Sequence, residues 1–356
     1  MPAIVIGAAL ALAACSTGGA SSSPAASTAS SSSAMASATA AATASPINYK
    51  VAFVVPGTLG DKGFFDSGEA GVVKAVNDLG ITQKTLQASP SDPAQWLQNL
   101  QAVSDGSYNL VITGSTQQHD NLQQAATAHP DQKYVFFDDQ VNLPNVLSIE
   151  YKQNEGSYVA GVLAGLVTTD TADFPLSKGN KTVGLVGGMD IPVINDFVVG
   201  FKAGALSVDP SINVIVSYAG SFSDPNKGYN LTKAMYDQGA DIVFAVAGGT
   251  GLGVLKASSD QNKYSIGVDS DQNGLYPGHV LASMVKRVDN SLFDSIKAAI
   301  DGTAKWGQLV YYGLQNQGVG LIIDQKDVPQ SVQDKITAAT QKVASGAVTV
   351  PTALGS

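Results

Sequence analysis

The feature that most constrains the fold is an internal repeat. From Asn48 onward short β-rich runs alternate with helical patterns, and the order of the first half returns in the second. The run at 109–114 is mirrored at 241–248, and the run ending at Asp138 is mirrored by the one ending at Asp269. Alternating strands and helices predict βαβ units with parallel sheets. A repeat this large predicts two similar lobes, because a solenoid repeats every 20 to 50 residues or so.

The repeat predicts an α/β fold of two doubly wound, Rossmann-like lobes joined by a hinge. The chain has 356 residues, of which 44% are hydrophobic, which suits two cores better than one. Lobe crossings are expected near 151–153, 285–287 and 311–313. We therefore predict lobe 1 at 47–152 plus about 280–310, and lobe 2 at 153–279 plus about 311–350. Ligands of parallel sheets bind beyond the carboxyl ends of the strands, so the lobes should enclose a cleft.

The N-terminal residues resemble an export signal. An apolar run at 2–14, without the usual opening Lys or Arg, ends in Leu-Ala-Ala before Cys15, the single cysteine. Small residues before a cysteine are typical of a bacterial lipoprotein signal, so we predict a signal at 1–15 and a lipid on Cys15. The alternative is an ordinary secretory signal. Residues 16–46 are rich in Ser and Ala, which predicts a disordered tether to the membrane.

Charge and composition exclude several classes of function. The net charge of −9, without a basic stripe, argues against nucleic-acid binding. His119, His129 and His279 lack the close spacing of zinc ligands, so we predict no metal, and no motif calls for a cofactor. The G-x-S-x-G, H-E-x-x-H and Cys/His signatures of hydrolases are absent. Paired carboxylates leave a glycosidase-like hydrolase open as a less favoured alternative.

Candidate binding residues stand where strands end. The loop at 57–67 brings Asp61, Phe64 and Phe65 to a strand-to-helix junction, where an aromatic ring can support a base or a sugar. We expect Phe64 to face the cleft and one of the two phenylalanines to pack into its own lobe. Asp138 and Asp269 end mirrored strands, and an ionised carboxylate accepts two hydroxyls of a ribose diol well. Capping of the following helix is the alternative for either one.

The glycine-rich run at 247–253 does not fit a phosphate loop. No Lys-Ser or Lys-Thr follows it, and the G-x-G-x-x-G spacing is missing. Gly248 and Gly249 are therefore expected to bring bare backbone close to a neutral ligand. Lys286 is either a cation at a lobe crossing or an ordinary solvated lysine. Ser115, directly after the strand at 109–114, is a further candidate.

Several runs in fixed order resemble the basic membrane lipoprotein family, the purine-nucleoside receptor-like substrate-binding proteins of ABC transporters. The resemblance covers about residues 49–348, and the runs that carry it are at 187–192, 197–204, 218–225, 235–241, 247–253, 267–272 and 283–287. It implies a type I periplasmic-binding fold, no enzymatic activity, a nucleoside ligand, and an ABC permease and ATPase as partners. It also implies an extracytoplasmic protein anchored to the cell membrane by lipid. A surface receptor that signals without transport is the alternative role.

The resemblance also implies roles for individual residues. Phe64 and either Phe222 or Phe197 would sandwich the base, Asp138 would address the base, and Asp269 with Lys286 the ribose. Members commonly carry D-K-S-F-N where residues 61–65 here read D-K-G-F-F. Phe65 in place of Asn removes a polar contact, so a sugar or another small ring metabolite is the alternative ligand. The candidate ligand-binding residues are Asp61, Phe64, Phe65, Ser115, Asp138, Phe197, Phe222, Gly248, Gly249, Asp269 and Lys286.

Overall fold

The computed structural model describes residues 45–354. Cys15, the predicted signal and all of the predicted tether except its last two residues lie outside the described residues. In chain order the elements are β1 (Lys50–Val54), α1 (Phe64–Leu79), β2 (Thr82–Leu86), α2 (Pro93–Val103), β3 (Leu110–Gly114), α3 (His119–Ala128), β4 (Tyr134–Phe137), β5 (Val146–Tyr151), α4 (Gln153–Thr169), β6 (Thr182–Gly187), α5 (Pro192–Val208), β7 (Asn213–Tyr218), α6 (Pro225–Asp237), β8 (Ile242–Val246), α7 (Gly251–Asp260), β9 (Tyr264–Asp269), β10 (Val280–Lys286), α8 (Val288–Ile300), β11 (Leu309–Tyr312), β12 (Val319–Ile323) and α9 (Gln330–Ala344).

The strands form two six-stranded sheets with the same internal order. The first runs β11-β5-β4-β3-β1-β2 and the second β12-β10-β9-β8-β6-β7. All pairs are parallel except β12, which runs antiparallel to β10. In each sheet the chain winds outward in both directions from its first strand, which is the doubly wound plan. The predicted fold of two Rossmann-like α/β lobes is confirmed.

Both faces of each sheet are covered by helices, as parallel sheets require. In β1, Ala52 and Val54 pack with residues of α2 and α3, whereas Val51 and Phe53 face the opposite core with Val72 of α1. Because side chains alternate along a strand, a continuous apolar run supplies both cores at once. The central strands β1, β3 and β4 of the first sheet are therefore apolar at nearly every position, whereas the edge strand β2 is mostly polar.

Two mirrored helices begin with the same start signal. Pro93 opens α2 and Pro225 opens α6, and each follows an Asp whose carboxylate accepts a hydrogen bond from the first turn. Asp92 accepts from Gln95 N at 3.1 Å, and Asp224 accepts from Lys227 N at 3.0 Å. Such capping, with proline preset for the first helical position, stabilises a helix by about 1 kcal/mol.

The apolar face of α1 differs from the expected one. The sequence pattern predicts that Val72, Val73 and Val76 share a buried face, but Val73 is 40% exposed whereas Val72 is fully buried. The prediction is wrong for Val73, because one residue advances about 100° around a helix. Gly71 lies on the buried face, where an added Cβ would come within 2.2 Å of the Asp289 carbonyl oxygen. α1 and α8 therefore pack backbone against backbone.

One predicted lobe boundary needs correction. The assignment of about 280–310 to lobe 1 is wrong for β10, because Met284 pairs with Val268 of β9 and with Leu321 of β12, all in the second sheet. The chain changes sheets after Tyr151, after Lys286 and after Tyr312. From here on, lobe 1 means residues 45–151 and 288–312, and lobe 2 means residues 153–286 and 319–354. Within residues 45–354, no helix is both long and apolar enough to cross a membrane.

Candidate ligand-binding site

A cavity of about 590 Å³ lies between the lobes, at the carboxyl ends of both sheets. Lobe 1 supplies the loop after β1, the first turn of α1 and the residues that follow β3 and β4. Lobe 2 supplies the start of α5, the loop at 220–223, the turn after β8 and the ends of β9 and β10. Pockets of about 300 to 1,000 Å³ enclose molecules of drug size, so the cavity can hold one small ligand.

The structure brings every candidate ligand-binding residue to the wall of this cavity. They are Asp61, Phe64, Phe65, Ser115, Asp138, Phe197, Phe222, Gly248, Gly249, Asp269 and Lys286. Their contacts within the protein differ greatly. Some of these residues are already engaged by other protein groups, and others are available to contact a ligand.

Asp138 and Asp269 occupy equivalent positions in the two lobes. Asp138 follows β4, Asp269 ends β9, and their φ angles are 70° and 66°. This left-handed conformation is uncommon for residues other than glycine, but Asp tolerates it better than most. Neither carboxylate accepts a hydrogen bond from a backbone amide of residues 45–354, so helix capping is excluded for both there. The mirrored turns instead direct both side chains into the cavity.

Lys286 crosses from lobe 2 to meet Asp138 of lobe 1. Its ammonium forms an ion pair with Asp138 Oδ1, and its side chain is only 2% exposed. Three aromatic rings surround the ammonium: its Nζ lies 5.2 Å from the centroid of Phe64, 5.1 Å from Tyr151 and 5.3 Å from Phe197. Lys286 is therefore not a solvated surface lysine. Burial raises the pKa of Asp138, and the Lys286 ammonium opposes that rise.

Asp269 has no such partner. Within the described part of the chain, no side chain or backbone amide donates a hydrogen bond to its carboxylate, and the residue is only 8% exposed. Burial raises the pKa of Asp269 to about 7, the nearby Asp61 and Asp138 add to the rise, and Lys286 opposes it. A buried carboxylate without donors is costly unless a ligand supplies them.

Asp61 lies on the wall but is already engaged. Its two carboxylate oxygens accept hydrogen bonds from the amides of Gly63 at 3.0 Å, Phe65 at 2.9 Å and Asp66 at 3.2 Å. The carboxylate thus caps the N-terminus of α1, where the helix dipole favours negative charge. Burial raises the pKa of Asp61, and these amide hydrogen bonds oppose the rise. Asp61 therefore fixes the turn that presents Phe64 and Phe65.

Phe64 and Phe65 form an aromatic corner. Their ring centroids are 5.2 Å apart at an interplanar angle of 61°, and Phe64 lies 5.3 Å from the ring of Phe137. Phe65 covers Gly57, where an added Cβ would come within 3.1 Å of the ring. Both rings are half-buried and both line the cavity. The two rings do not divide between cavity and core as expected, because each lines the cavity and also packs against the core of the lobe.

Phe197 and Phe222 lie in unlike surroundings. Phe197, on α5, is 2% exposed and packs at 6.4 Å against the ring of Phe244 in the core. Phe222, on the loop at 220–223, is half-buried and covers Gly188. Its carbonyl oxygen accepts a hydrogen bond from Thr250 N at 3.1 Å, which ties the loop to the turn after β8. Phe222 thus offers the accessible ring, and Phe197 supports Lys286 from behind.

The small candidate residues Gly248, Gly249 and Ser115 lie at the cavity because of their backbone geometry. Gly248 has a φ of 52°, a conformation that favours glycine, and a Cβ on Gly249 would come within 3.2 Å of the Phe222 carbonyl oxygen. Ser115, with a φ of 81°, begins the short turn at Thr116–Gln118, and its hydroxyl accepts from Gln117 N at 3.4 Å. Both segments let the backbone approach the cavity closely.

Several residues near the cavity were not predicted from the sequence. Gln117 of lobe 1 and Met189 of lobe 2 line it and meet across it, with Nε2 3.8 Å from Sδ. Tyr151 is buried behind Lys286, and its hydroxyl hydrogen-bonds to Ser291 Oγ at 2.5 Å. Gln117 and Met189 both follow a parallel strand within three residues, so their position after a strand was the available signal. Tyr151 ends the parallel strand β5, so the same position was its signal too.

The sequence model of the Bmp family, described as "ABC transporter substrate-binding protein PnrA-like", matches residues 48–353. The chain belongs to the Bmp family. It is therefore a substrate-binding protein of the ABC-transporter class, as the resemblance in its sequence implies.

Curated relatives agree with the Bmp assignment. Basic membrane protein D of Borreliella burgdorferi is 30% identical over 312 residues, covering 85% of this chain and 87% of that protein. The CD4+ T-cell-stimulating antigen of Listeria monocytogenes is 32% identical over 326 residues, covering 85% and 88%. The ABC transporter nucleoside-binding protein BmpA of Lactococcus lactis is 33% identical over 271 residues, covering 71% and 74%.

Solved structures support the fold of this Bmp protein. An ABC transporter solute-binding protein from Aeropyrum pernix K1 superposes with a TM-score of 0.78 at 24% identity, covering 85% of this chain and 93% of that one. A solute-binding protein from Agrobacterium vitis bound to α-D-tagatopyranose gives a TM-score of 0.59 at 14% identity, covering 81% and 98%. At these identities the likeness shows the fold alone.

Proposed function

We propose that this Bmp protein binds a nucleoside, with a purine base preferred, in the cavity between its lobes and presents it to the permease and ATPase of an ABC importer. The observation that carries the proposal is the composition of the wall. Accessible aromatic rings stand on both lobes, and the buried, unpartnered carboxylate of Asp269 stands at the same cavity. A nucleoside has a flat apolar face and a pair of adjacent hydroxyls, which match these two features.

The base would stack against Phe64 of lobe 1 and Phe222 of lobe 2. Stacking of a base on an aromatic side chain contributes about 1–3 kcal/mol. Because the two rings belong to different lobes, a base held by both would stabilise the arrangement in which the lobes meet. The second oxygen of Asp138, which Lys286 does not hold, would accept a hydrogen bond from an N–H group of the base.

The ribose would be held by Asp269. Two hydroxyls donating to its carboxylate would satisfy a group that has no donor within residues 45–354. Hydrogen bonds to a charged group contribute about 1.5–3 kcal/mol each. Together with stacking, they support micromolar or tighter binding, which corresponds to about 8 kcal/mol or more.

We propose binding without turnover. A two-carboxylate hydrolase needs one free acid and one free base, and here Asp138 is paired with Lys286 and Asp61 caps α1. Chromatography of nucleoside incubated with the protein should therefore show no free base. Release of base that is lost in Asp269→Ala would instead establish a hydrolase.

The location is part of the same proposal. The protein would stand outside the cytoplasm, held to the membrane by a lipid on Cys15 and separated from it by the Ser/Ala-rich segment at 16–46. Mass spectrometry of the N-terminal peptide from the native membrane fraction would detect the acyl mass. A peptide that starts after Cys15 without lipid would exclude the anchor.

Calorimetry tests the ligand directly. Inosine, guanosine and adenosine should each bind with a dissociation constant in the micromolar range or below, whereas free ribose and allose should bind far more weakly. Two variants test the two features of the wall one at a time. Phe222→Ala removes a stacking ring and Asp269→Asn removes the unpartnered carboxylate, and each should weaken nucleoside binding. Binding of a free sugar together with no heat from any nucleoside would reject the proposal.

A further inference from the structure

The two lobes are joined by hydrogen bonds that lie outside the ligand cavity. Gln272 of lobe 2 donates from Nε2 to the Lys62 carbonyl oxygen of lobe 1 at 2.9 Å, and Ser270 donates from Oγ to the Gly63 carbonyl oxygen at 3.2 Å. None of these four residues lines the cavity. Both donors come from the loop after β9, and both acceptors come from the turn before α1.

The donor side is held in place by its own lobe. Gln272 is 3% exposed, its Oε1 accepts from Val268 N at 3.0 Å, and its backbone amide donates to Ser283 Oγ at 2.9 Å. Ser283 in turn donates to Asn273 Oδ1 at 2.7 Å. Because Oε1 is occupied within lobe 2, the NH2 group of Gln272 is fixed in the direction of lobe 1. A buried polar network of this kind holds one orientation.

The acceptor side is equally constrained. Asp66 accepts hydrogen bonds from Gly60 N at 2.7 Å and Lys62 N at 2.9 Å, and Asp61 accepts from Gly63 N. Lys62 itself has a φ of 53°, a left-handed turn conformation shortly before the start of α1. The two carbonyl oxygens therefore stand at defined positions, and these positions face the donors of lobe 2.

We propose that Gln272 and Ser270 form a latch that holds the lobes together independently of ligand contacts. They are positioning residues, and the inference rests on the proposed function only for the identity of the ligand. The latch sits on the same loop as Asp269, whose Oδ2 would lie 3.5 Å from a Cβ added at Gly63. Affinity depends on the fraction of molecules whose lobes are together, and the ligand leaves when the lobes separate. A latch that opposes separation therefore raises the affinity and lengthens the lifetime of the complex.

The test compares Gln272→Met and Ser270→Ala with Gln333→Met as a matched control. Gln333 also donates from Nε2 to a carbonyl oxygen, that of Val328 at 2.8 Å, but within lobe 2. Inosine dissociation is followed by stopped flow. We expect dissociation to accelerate about 3- to 10-fold in Gln272→Met and less in Ser270→Ala, because each variant removes one hydrogen bond between the lobes. The control should match wild type, and the ratio of inosine to adenosine affinity should not change.

A second measurement needs no ligand, so it remains decisive if no nucleoside binds. Spin labels at Gln124→Cys in lobe 1 and Lys233→Cys in lobe 2, with Cys15→Ser, report the distance between lobes by pulsed resonance. Loss of the latch should shift the ligand-free population toward longer distances. An unchanged distance distribution in the ligand-free protein would by itself overturn the latch, as would an unchanged dissociation rate of bound inosine or a change in ligand selectivity. Absence of nucleoside binding in wild type would reject the proposed function alone.

Discussion

Lys286 of lobe 2 and Asp138 of lobe 1 form a buried ion pair at the base of the cavity, inside a ring of aromatic side chains. The pair connects the end of β10 to the residue after β4, so it bridges the two sheets where the chain changes lobes. Among the described residues 45–354, it also commits the single ammonium on the cavity wall to one of the mirrored carboxylates. Within residues 45–354, Asp269 is left as the mirrored carboxylate with neither oxygen engaged.

The first prediction concerns this ion pair. Lys286→Met leaves Asp138 buried without its partner, so the free energy of unfolding should fall by about 3–5 kcal/mol. Chemical denaturation measures it. Lys256→Met is the control, because Lys256 pairs with Asp260 at 2.7 Å on an exposed helix surface and such pairs contribute less than about 1 kcal/mol. Adding Asp138→Asn to Lys286→Met should recover part of the loss, and no recovery would contradict a direct pair.

The second prediction concerns stability and pH. The pKa of Asp269 is raised to about 7 in the folded protein and is near 4 in the unfolded chain. Between these values the unfolded chain releases a proton that the folded protein keeps, so stability falls as pH rises from about 4 to about 7. The loss is about 4 kcal/mol for ligand-free protein. Asp269→Asn should remove this pH-dependent loss. The difference in free energy of unfolding between the variant and wild type should therefore grow between about pH 4 and about pH 7. A constant difference would contradict the assignment.

The third prediction is proton release on binding. Ligand hydroxyls favour the ionised form of Asp269, so at pH 6 the carboxyl should lose its proton when the nucleoside binds. Affinity should rise with pH until about pH 7 and then level off. Calorimetry in buffers with different ionisation enthalpies counts the proton. In Asp269→Asn this carboxyl is absent, so its contribution to the buffer dependence of the binding heat should disappear. Proton uptake by wild type on binding would contradict the ionisation of Asp269 by the ligand.

The fourth prediction decides between the two candidate rings of lobe 2. Phe222→Ala should weaken binding of guanosine by about 1–3 kcal/mol and leave the unfolding transition nearly unchanged, because the ring is half-buried on a loop. Phe197→Ala should instead lower stability by about 3–5 kcal/mol, since that ring is 2% exposed and packed in the core. Calorimetry and thermal unfolding on both variants separate the effects. Equal affinity of Phe222→Ala and wild type would exclude the sandwich.

Much of the fold was predictable because its signals are local. Apolar runs mark the buried strands, and the mirrored Asp138 and Asp269 mark the ends of equivalent strands. The lobe assignment of β10 was not predictable, because pairing with β12 depends on contacts about forty residues apart in the chain. The buried face of α1 was misassigned for a different, local reason. Adjacent residues lie about 100° apart around a helix, so Val72 and Val73 cannot both point inward.

The partners within the site were harder to predict than its members. Lys286 pairs with Asp138 at a sequence separation of 148 residues, and nothing in either segment favours this carboxylate over Asp269. The contacts of Gln272 and Ser270 go to backbone carbonyls, which every residue possesses, so no side-chain pattern could indicate them. Residue types thus indicated where the cavity lies, and only three-dimensional packing determines which groups are free.

The fifth prediction follows from the charges on the cavity wall. In the part of the chain that the structure describes, its ionisable side chains are Asp61, Asp138, Asp269 and Lys286, and the one cation among them is already paired. A phosphate about 6 Å from a carboxylate is repelled by about 3 kcal/mol at an effective dielectric constant near 20. Inosine 5′-monophosphate should therefore bind at least about 100-fold more weakly than inosine.

Size must be separated from charge in that comparison, so 5′-O-acetylinosine serves as a bulky neutral ligand. We expect it to bind much better than the monophosphate, and we expect Asp269→Asn to narrow the gap between inosine and its monophosphate by removing one negative charge. A monophosphate that binds within about tenfold of inosine would contradict the charge argument. Equal weakening by acetyl and phosphate groups would assign the selectivity to the shape of the cavity. If charge decides, nucleotides outside the cell must lose their phosphate by phosphomonoester hydrolysis before this protein can bind them.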